Sequence, residues 1–295
     1  MIRRVAVPPR SLARRVGGHV STAGGVINAL TNAQNIGANC LQIFAGSPRS
    51  WARKLYTADE AADFIKRSRL LDLAPTYIHA LYLVNLASDN PDLLKKSVDS
   101  LIFDLRNGDL INSAGVIVHI GSHQGRGFPS VSDQVAGVIR EIINASTKTS
   151  FVIENSAGQQ GKIGLLSEIS QLFKTINHPR LKLCLDTAHL FEAGYDLNDL
   201  TIIDDLVGEL GQLDLLDQIV CLHLNDSKTD LNSRHDQHAN LGDGQIGLLG
   251  LSQFVNHPAF VDLPLILEVP GDKGMVDATQ ISRAQALLTN FKDSP

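Results

Sequence analysis

Short runs of apolar residues alternate along this chain with longer segments in which apolar residues recur at helical spacing. The short runs, rich in Val, Ile and Leu, predict eight β-strands, at 17–21, 39–44, 76–80, 115–120, 151–155, 181–187, 219–225 and 265–269. The longer segments predict amphipathic helices, among them 30–37, 58–71, 91–111, 135–145, 165–176 and 203–213. Eight βα units without a change in composition predict an α/β fold, a single (β/α)8 TIM barrel.

The length of the chain suits one such barrel. The sequence has 295 residues with 43% apolar content, and a TIM barrel typically takes about 250 residues. We therefore expect the barrel domain to span residues 17–295. We expect residues 1–16 to form a short, flexible basic extension, which contains Arg3, Arg4, Arg10, Arg14 and Arg15.

Composition and charge narrow the class of protein. No apolar run approaches the roughly 18 residues of a membrane span, and the arginine-rich start has no apolar signal core. We therefore expect a cytoplasmic monomer without membrane contact. The net charge of −5 argues against a protein that coats nucleic acid by bulk charge, so a phosphate ligand would have to be attracted locally. Three cysteines lie inside apolar runs, where we expect them to pack as free thiols: Cys40, Cys184 and Cys221.

Ionisable residues fall at the ends of six consecutive predicted strands, from the third to the eighth. These residues are His79, His119, Glu154, Asp186, His223 and Glu268. In a TIM barrel the C-terminal strand ends converge on one mouth, where the active site is built. A strand of Val, Ile and Leu gains no stability from ending in His or Glu. The pattern therefore predicts a functional site at the C-terminal mouth.

Further candidate metal ligands lie in the loops. His189 follows Asp186 by three residues, and the segment after the seventh strand places Asp226, Asp236 and His238 around a Gly-rich loop. Without Asp226, five histidines and four carboxylates exceed the needs of one ion, since zinc takes about four ligands. The set therefore predicts two or three divalent ions. Their positive charge suits a phosphodiester substrate.

The same segments resemble the endonuclease IV family of apurinic/apyrimidinic endonucleases. The similar blocks occur in order at 79–88, 119–123, 153–164, 184–196, 223–228, 236–244 and 267–271. With GGHVSTAGG near the start, the resemblance covers residues 17–291. It implies a trinuclear zinc barrel that cleaves double-stranded DNA on the 5′ side of abasic sites, leaving a 3′-hydroxyl and a 5′-deoxyribose phosphate. It also implies trimming of blocked 3′ ends.

The resemblance further implies which residues bind each of three zinc ions. One ion would be held by His79, His119 and Glu154, a second by Glu154, Asp186, His223 and Glu268, and a third by His189, Asp236 and His238. Glu154 and Glu268 are then the catalytic residues, and Glu154 would bridge two ions and orient the attacking hydroxide. Manganese or iron would be possible substitutes, since His and carboxylate sites also accept them.

Four positions depart from the usual family pattern without removing a ligand. They are Leu81 for Pro, Ala188 for Cys, Val269 for Thr, and Gln237 for the Arg of a D-R-H motif. Gln237 removes a positive charge beside the third set of ligands, which puts a phosphate contact there in doubt.

Residues that would contact DNA are predicted on the loops of the mouth. The family inserts side chains into the DNA minor groove, and FAGSPRSW (44–51) supplies Arg49 and Trp51 for this purpose, while Tyr82 follows the first ligand. The cationic loop residues that could contact phosphates are Lys228, Arg234 and Arg126.

Two other functions remain open from the sequence. A metal-dependent sugar isomerase or epimerase also places a metal at the mouth of a related barrel, but it needs only about four ligands. The third set, His189, Asp236 and His238, therefore argues against it. A DNA-lesion-binding barrel without turnover is the other alternative, and the presence of both Glu154 and Glu268 argues against it.

Overall fold

A computed structural model of the protein describes residues 14–52 and 54–289. Eight parallel strands close into a barrel in the order in which they occur along the chain. The barrel strands are β1 (Val16–His19), β2 (Cys40–Phe44), β3 (Thr76–His79), β4 (Gly115–Val118), β5 (Ser150–Glu154), β6 (Leu181–Asp186), β7 (Ile219–His223) and β10 (Leu265–Leu267). The predicted (β/α)8 barrel is therefore confirmed.

Helices surround the barrel and connect its strands. In the described ranges they are α1 (Ile27–Asn35), α2 (Ala58–Leu70), α3 (Pro91–Ile111), α4 (Phe128–Asn144), α5 (Leu166–Ile176), α6 (Thr187–Ala193), α7 (Leu200–Gln212), α8 (Gly247–Val255) and α9 (Ala278–Thr289). Local sequence sets several of their ends. The α2 helix begins with a capping box, in which Thr57 Oγ1 accepts from the Glu60 amide at 3.2 Å and Glu60 Oε2 accepts from the Thr57 amide at 2.7 Å.

Several elements at the mouth differ from the sequence prediction. Strands β4 and β10 end at Val118 and Leu267, so His119 and Glu268 each follow their strand instead of lying within it. The short helix α6 starts directly after β6, where the sequence predicts only the end of a strand. The Asp186 side chain caps this helix by accepting from the His189 amide at 3.0 Å.

A short antiparallel pair lies outside the barrel, in the segment between β7 and α8. It consists of β8 (Asp226–Ser227) and β9 (His238–Ala239). The pair returns the chain to the mouth of the barrel after the loop 228–237. His238 therefore reaches the mouth from a loop structure and not from a barrel strand.

The barrel interior contains a layer of buried side chains that come from seven of its eight strands. This layer consists of Cys40, Tyr77, Ile117, Val152, Cys184, Cys221 and Ile266. The Tyr77 hydroxyl crosses the barrel and donates to the Val220 carbonyl oxygen at 2.9 Å. All three cysteines are buried and free, as predicted. At Gly17 a Cβ atom would lie 1.9 Å from the Cys40 carbonyl oxygen, so β1 and β2 approach closely only because this residue is glycine.

The start of the described chain is attached to the barrel. The Arg14 guanidinium donates to the carbonyl oxygens of Val255, Phe260 and Leu263. Arg15 binds the Asp72 carboxylate at 3.0 Å. Arg14 and Arg15 are therefore part of the barrel and not of a flexible lead, because their guanidinium groups satisfy backbone and carboxylate oxygens. Arg3, Arg4 and Arg10 lie outside the described residues.

No helix in 14–52 or 54–289 is long and apolar enough to cross a membrane.

Candidate metal centre

The residues of the candidate site form a second layer directly above the interior layer of the barrel. In a β-strand, residues i and i+2 face the same side. Each interior residue is therefore followed, two positions later, by a polar residue at the mouth. In chain order these polar residues are Gln42, His79, His119, Glu154, Asp186, His223 and Glu268. Strand register thus brings together the six strand-end residues that the sequence predicts.

The first set of ligand atoms combines His79, His119 and Glu154, and these atoms lie within 4.8 Å of one another. Glu154 Oε2 is 3.4 Å from Nε2 of both histidines. His79 and Glu154 are buried, whereas the His119 side chain is 30% exposed. The set is therefore open to solvent on one side only.

The second set combines Glu154, Asp186, His223 and Glu268. Nδ1 of His223 faces all three carboxylates, at 3.0 Å from Glu154 Oε1, 3.8 Å from Asp186 Oδ2 and 3.3 Å from Glu268 Oε2. Glu154 therefore presents one oxygen to the first set and the other to the second. Such an arrangement suits a carboxylate that bridges two cations.

The third set differs from the one that the family resemblance implies. The atoms that lie within 4.8 Å of one another belong to Asp186, His189 and His238. Asp186 Oδ2 is 3.5 Å from His238 Nε2. Asp236 remains at the edge, with Oδ1 at 3.2 Å from His189 Nε2 and 3.8 Å from His238 Nε2. Asp186 therefore belongs to two sets, and the half-exposed Asp236 lies beside the third.

Backbone carbonyl groups orient two of the histidines. Nδ1 of His79 lies 2.7 Å from the Ala80 oxygen, and Nδ1 of His189 lies 3.0 Å from the Asn155 oxygen. A carbonyl oxygen only accepts hydrogen bonds, so each Nδ1 carries the proton. The lone pair of each Nε2 is then available to bind a metal ion. This is the usual arrangement around histidines that bind metal ions.

Gln42 and His19 also belong to the site, although the sequence analysis does not identify them. Gln42 Oε1 is 2.9 Å from His223 Nε2, and its Nε2 atom donates to Glu268 Oε1 at 2.5 Å. His19 Nδ1 lies 3.0 Å from the same amide nitrogen. Both residues obey the i+2 rule on β2 and β1. The spacing that reveals the other strand-end residues could therefore have identified them.

Asn225 is a further residue that sequence reasoning misses. Its side-chain nitrogen donates to Asp186 Oδ2 at 2.7 Å, and its side-chain oxygen accepts from the Glu268 amide at 2.8 Å. A buried amide with both ends bound fixes two of the carboxyl groups relative to each other. Nothing in the sequence distinguishes Asn225 from an ordinary loop asparagine.

Asp226 does not belong to any ligand set. Its carboxylate accepts from the backbone amides of Gly242, Gly244, Ile246 and Gly247 at 2.9 to 3.2 Å. Asp226 thus lies outside the ligand sets, and it is also not among the nine residues that the sequence predicts to be ligands. Its carboxylate instead holds the Gly-rich turn that precedes α8.

Charge balance in the site rests on protons shared between carboxylates and imidazoles. Burial lowers the pKa of His223, but the Glu268 and Glu154 carboxylates outweigh this effect and raise the pKa to about 10. Burial raises the pKa of Asp236, but the neighbouring His189 imidazole lowers it to about 2. Burial raises the pKa of Glu154, yet His119 and His223 hold it well below the usual value. Divalent cations would replace the imidazole protons.

Several buried polar atoms support a metal centre directly. His79 Nε2, Glu154 Oε2, His189 Nε2 and His238 Nε2 are buried and make no hydrogen bond within the described part of the chain. Buried polar atoms normally have a partner, because an unpaired one costs about 1–3 kcal/mol. All four belong to the three sets of ligand atoms. Divalent cations with nitrogen and oxygen ligands would satisfy them together, so the residues fit metal ions.

The predicted DNA-contacting residues occupy different positions around the mouth. Tyr82 is 63% exposed at the rim, with its ring 5.6 Å from the Phe44 ring and 5.4 Å from the His79 ring. Arg49 is exposed on the loop after β2, whereas Trp51 is half-buried against the core. Lys228 and Arg234 are exposed on the loop before β9.

Arg126 is engaged within the protein. Its guanidinium donates to the carbonyl oxygens of Ala87 and His123. These bonds fix the turn that leads into α4. Arg126 therefore holds a loop, and the expectation that it contacts a phosphate has no support in the structure.

A large cavity adjoins the metal centre on the side of β1 and β2. Its volume is about 740 Å³, and its lining includes His19, Phe44, Tyr82 and Glu268. A smaller opening of about 320 Å³ is lined by Tyr82, His119, Asp236 and other residues of the site. Tyr82 and Glu268 line both spaces. The two spaces are therefore adjacent, and one extended ligand fits across both of them at the mouth.

Comparison with known proteins gives the context of this site. A family model described as a xylose isomerase-like TIM barrel matches residues 30–291. A probable endonuclease 4 of Halobacterium salinarum is 39% identical over 274 residues, which cover 92% of this chain and 99% of the relative. The crystal structure of endonuclease IV from Thermus thermophilus is 35% identical, covers 94% of this chain and 99% of its own, and superimposes with a TM-score of 0.80.

A more distant likeness concerns the fold alone. The structure of a D-tagatose 3-epimerase-like protein covers 93% of this chain and 96% of its own with a TM-score of 0.65, at 16% identity. The barrel by itself therefore does not distinguish an endonuclease from an epimerase, and the distinction depends on the residues at the mouth.

Proposed function

Because this chain belongs to the endonuclease IV family, we propose that it is a DNA-repair phosphodiesterase that cleaves the backbone 5′ to abasic sites. The products would be a 3′-hydroxyl and a 5′-deoxyribose phosphate, and the same site would trim blocked 3′ ends. One observation carries the proposal: the three sets of ligand atoms at the open mouth of the barrel are linked to one another. Glu154 belongs to the first and second sets, and Asp186 belongs to the second and third. Linked metal sites of this kind serve phosphoryl transfer.

We propose that three zinc ions occupy the centre. His79, His119 and Glu154 would hold one, Glu154, Asp186, His223 and Glu268 a second, and His189 and His238 a third, together with Asp236 or Asp186. Bound zinc would supply a hydroxide nucleophile at neutral pH and neutralise the charge of a phosphate group. Manganese or iron would be accepted by the same nitrogen and oxygen ligands.

The protein's own residues would orient the reacting groups. Glu154 is fully buried and touches two ligand sets, so its carboxylate would fix their separation and orient the attacking group. Glu268 is partly exposed, with 12% of its side chain accessible, and lines the cavity beside the centre. We therefore assign to Glu268 a catalytic role on the side from which the substrate enters.

DNA recognition would rest on the rim of the mouth. An abasic site has no base to read, so recognition depends on backbone contacts and on the ease of bending the unstacked nucleotide out of the helix. Tyr82 projects at the rim above His79, and Arg49 lies on the neighbouring loop. We propose that these two side chains enter the lesion, while Lys228 and Arg234 approach backbone phosphates.

The two alternatives have less support. A sugar isomerase or epimerase needs about four ligands, which leaves the buried His189 Nε2 and His238 Nε2 without a role. A lesion-binding protein without turnover needs no buried carboxylate between ligand sets, whereas Glu154 occupies that position.

The decisive experiment is incision of a duplex that carries one abasic analogue, assayed with and without a chelator. We expect a cut on the 5′ side of the analogue, loss of cutting with the chelator, and recovery after zinc is added. An intact duplex of the same sequence is the control. Zinc quantification on the same sample gives the stoichiometry, expected to be about three ions.

Absence of chelator-sensitive incision in a protein loaded with zinc would contradict the endonuclease proposal. Turnover of a ketose or aldose by the same sample would favour the isomerase alternative. Tight binding to the abasic duplex without any incision would favour the lesion-binding alternative.

A further inference from the structure

A buried carboxylate that belongs to none of the three ligand sets lies beneath the loop 228–237. Glu192 is in the last turn of α6, three residues after His189, and its side chain is fully buried. Residues three apart lie on the same face of a helix. The helix thus presents His189 toward the metal centre and Glu192, one turn later, toward the loop.

The Glu192 carboxylate binds strand β8 and the following loop at three points. Its Oε1 atom accepts from Ser227 Oγ at 2.8 Å, from Thr229 Oγ1 at 3.2 Å and from the backbone amide of Gln237 at 3.2 Å. Gln237 lies between Asp236 and His238, whose side chains reach the third ligand set. The carboxylate therefore holds the backbone between these two residues, independently of the Gln237 side chain.

The loop needs such external bonds because its backbone is unfavourable by itself. Asn232 and Arg234 both have a φ of +57°, a left-handed conformation that costs a residue with a side chain about 1 kcal/mol. The amides of both residues are bound by α6, since Asn232 donates to the Phe191 oxygen and Arg234 to the Glu192 oxygen at 3.1 and 3.0 Å. The end of α6 thus binds the loop through backbone and side chain together.

Burying the Glu192 carboxylate costs desolvation free energy, which an apolar side chain of similar size would not. Burial raises the pKa of Glu192 to about 7, although the hydrogen bonds from Ser227 and Gln237 lower it. An apolar side chain would fill the same space without that cost, but it would leave the Gln237 amide unsatisfied. The contribution of Glu192 is therefore its hydrogen-bond acceptor, which an apolar side chain of the same volume lacks.

We propose that Glu192 is a positioning residue, whose buried carboxylate fixes the segment 236–238 and so completes the third ligand set. The proposal rests on the metal centre of the proposed function. It assigns to Glu192 no contact with metal or substrate. Residues that orient metal ligands in this way typically contribute about 10- to 100-fold to metal affinity.

The test compares Glu192→Met with Glu192→Gln in the full-length protein. Methionine has a similar volume but no oxygen acceptor, whereas glutamine keeps one. Glu209→Gln is the matched control, because Glu209 accepts from Tyr195 at 3.0 Å on the adjoining helix α7 and does not contact the loop. Two quantities are measured: hydrogen exchange of the Gln237 amide in metal-free protein, and zinc retained during titration with a chelator.

For Glu192→Met we expect exchange of the Gln237 amide to accelerate at least about 10-fold. One zinc ion of about three should be lost at roughly 10- to 100-fold lower chelator concentration, while the others are retained as in the wild type. Glu192→Gln and Glu209→Gln should stay within about threefold of the wild type in both quantities. Equal behaviour of the Met and Gln variants would overturn the proposal, as would an equal weakening of all ions together with a lower melting temperature.

The exchange measurement also separates this proposal from the function itself. If Glu192→Met does not fold, hydrogen exchange of the Gln237 amide in the wild type is the test. Exchange as fast as that of an unprotected amide would overturn the role of Glu192. A wild-type protein that binds no zinc would instead contradict the metal centre, whatever its exchange rates.

Discussion

The side-chain oxygen of Gln42 lies 2.9 Å from Nε2 of His223, and this contact determines which nitrogen of the imidazole faces the metal centre. An amide oxygen only accepts, so Nε2 carries the proton and Nδ1 is directed to the three carboxylates of the second set. The Gln42 amide nitrogen donates in turn to Glu268. One side chain on β2 thus orients two residues that come from β7 and from the end of β10.

We expect Gln42→Met to weaken zinc binding in the second set by about 10- to 100-fold, because His223 loses the acceptor that orients it. Competition with a chelator measures the change. Gln285→Met is the control, since Gln285 is exposed on α9 and its side-chain nitrogen donates to the Gly37 oxygen at 3.4 Å, away from the metal centre. Unchanged affinity in Gln42→Met would show that the Gln42 contact does not tune the site.

Glu154→Ala should lower turnover on an abasic duplex by several orders of magnitude, because it removes the only side chain shared by the first and second ligand sets. Binding of the duplex should survive in part, since the rim residues are unchanged. Single-turnover incision and a binding titration measure the two effects separately. Near-normal incision by this variant would contradict the role of Glu154.

His189→Ala should reduce bound zinc from about three ions toward two, because it removes a ligand that only the third set contains. Asp236→Ala should act in the same direction, since Asp236 Oδ1 lies 3.2 Å from His189 Nε2 and 3.8 Å from His238 Nε2. Metal quantification after gel filtration measures both. Full retention of three ions in His189→Ala would argue against a third site at this position.

Arg49→Ala should weaken binding to an abasic duplex more than binding to an intact duplex, without a change in metal content. The reason is that Arg49 is exposed on the loop after β2 and is not among the ligand residues. Both affinities are measured at one fixed salt concentration, because phosphate contacts alone would weaken both duplexes equally. An equal loss would reduce Arg49 to a backbone contact.

In the absence of metal ions, the unfolding free energy of the wild type should decrease relative to that of Glu192→Gln as the pH rises from about 4.5 to about 7. The pKa of Glu192 is raised in the folded protein to about 7, so its protonated form favours folding at low pH and this contribution is lost as the carboxyl ionises. The difference in unfolding free energy should change by at most about 3 kcal/mol, at about 1.4 kcal/mol per pKa unit. Urea unfolding of both proteins at several pH values measures it, and a constant difference would contradict the shift.

The fold and most of the site could be predicted from local patterns. The eight strands, the helices from α1 to α5 and helix α7 follow from apolar periodicity. The strand-end histidines and carboxylates follow from the period of two along each strand. Helix α6 was missed because its seven residues directly continue a strand, and such a short segment contains too few turns to show helical periodicity.

The remaining part of the site depends on contacts between segments that are distant in the sequence. Gln42 and His223 are separated by 181 residues, and Glu192 and Gln237 by 45. A glutamine on a strand or a glutamate near the end of a helix is common by itself. Only the closed barrel shows that these side chains lie beside the ligands. The same holds for Asp226, whose partners are backbone amides that no sequence pattern identifies.

Two residues of the third ligand set come from elements outside the barrel strands, whereas those of the first two sets end a barrel strand or directly follow one. Asp186 ends a barrel strand, but His189 is on the short helix α6 and His238 is on the two-residue strand β9 outside the barrel. Closure of the barrel alone therefore brings together the residues of the first two sets, whereas the third set also needs the segment 226–239 to lie against the mouth. Occupancy of the third site would therefore report whether that segment is docked.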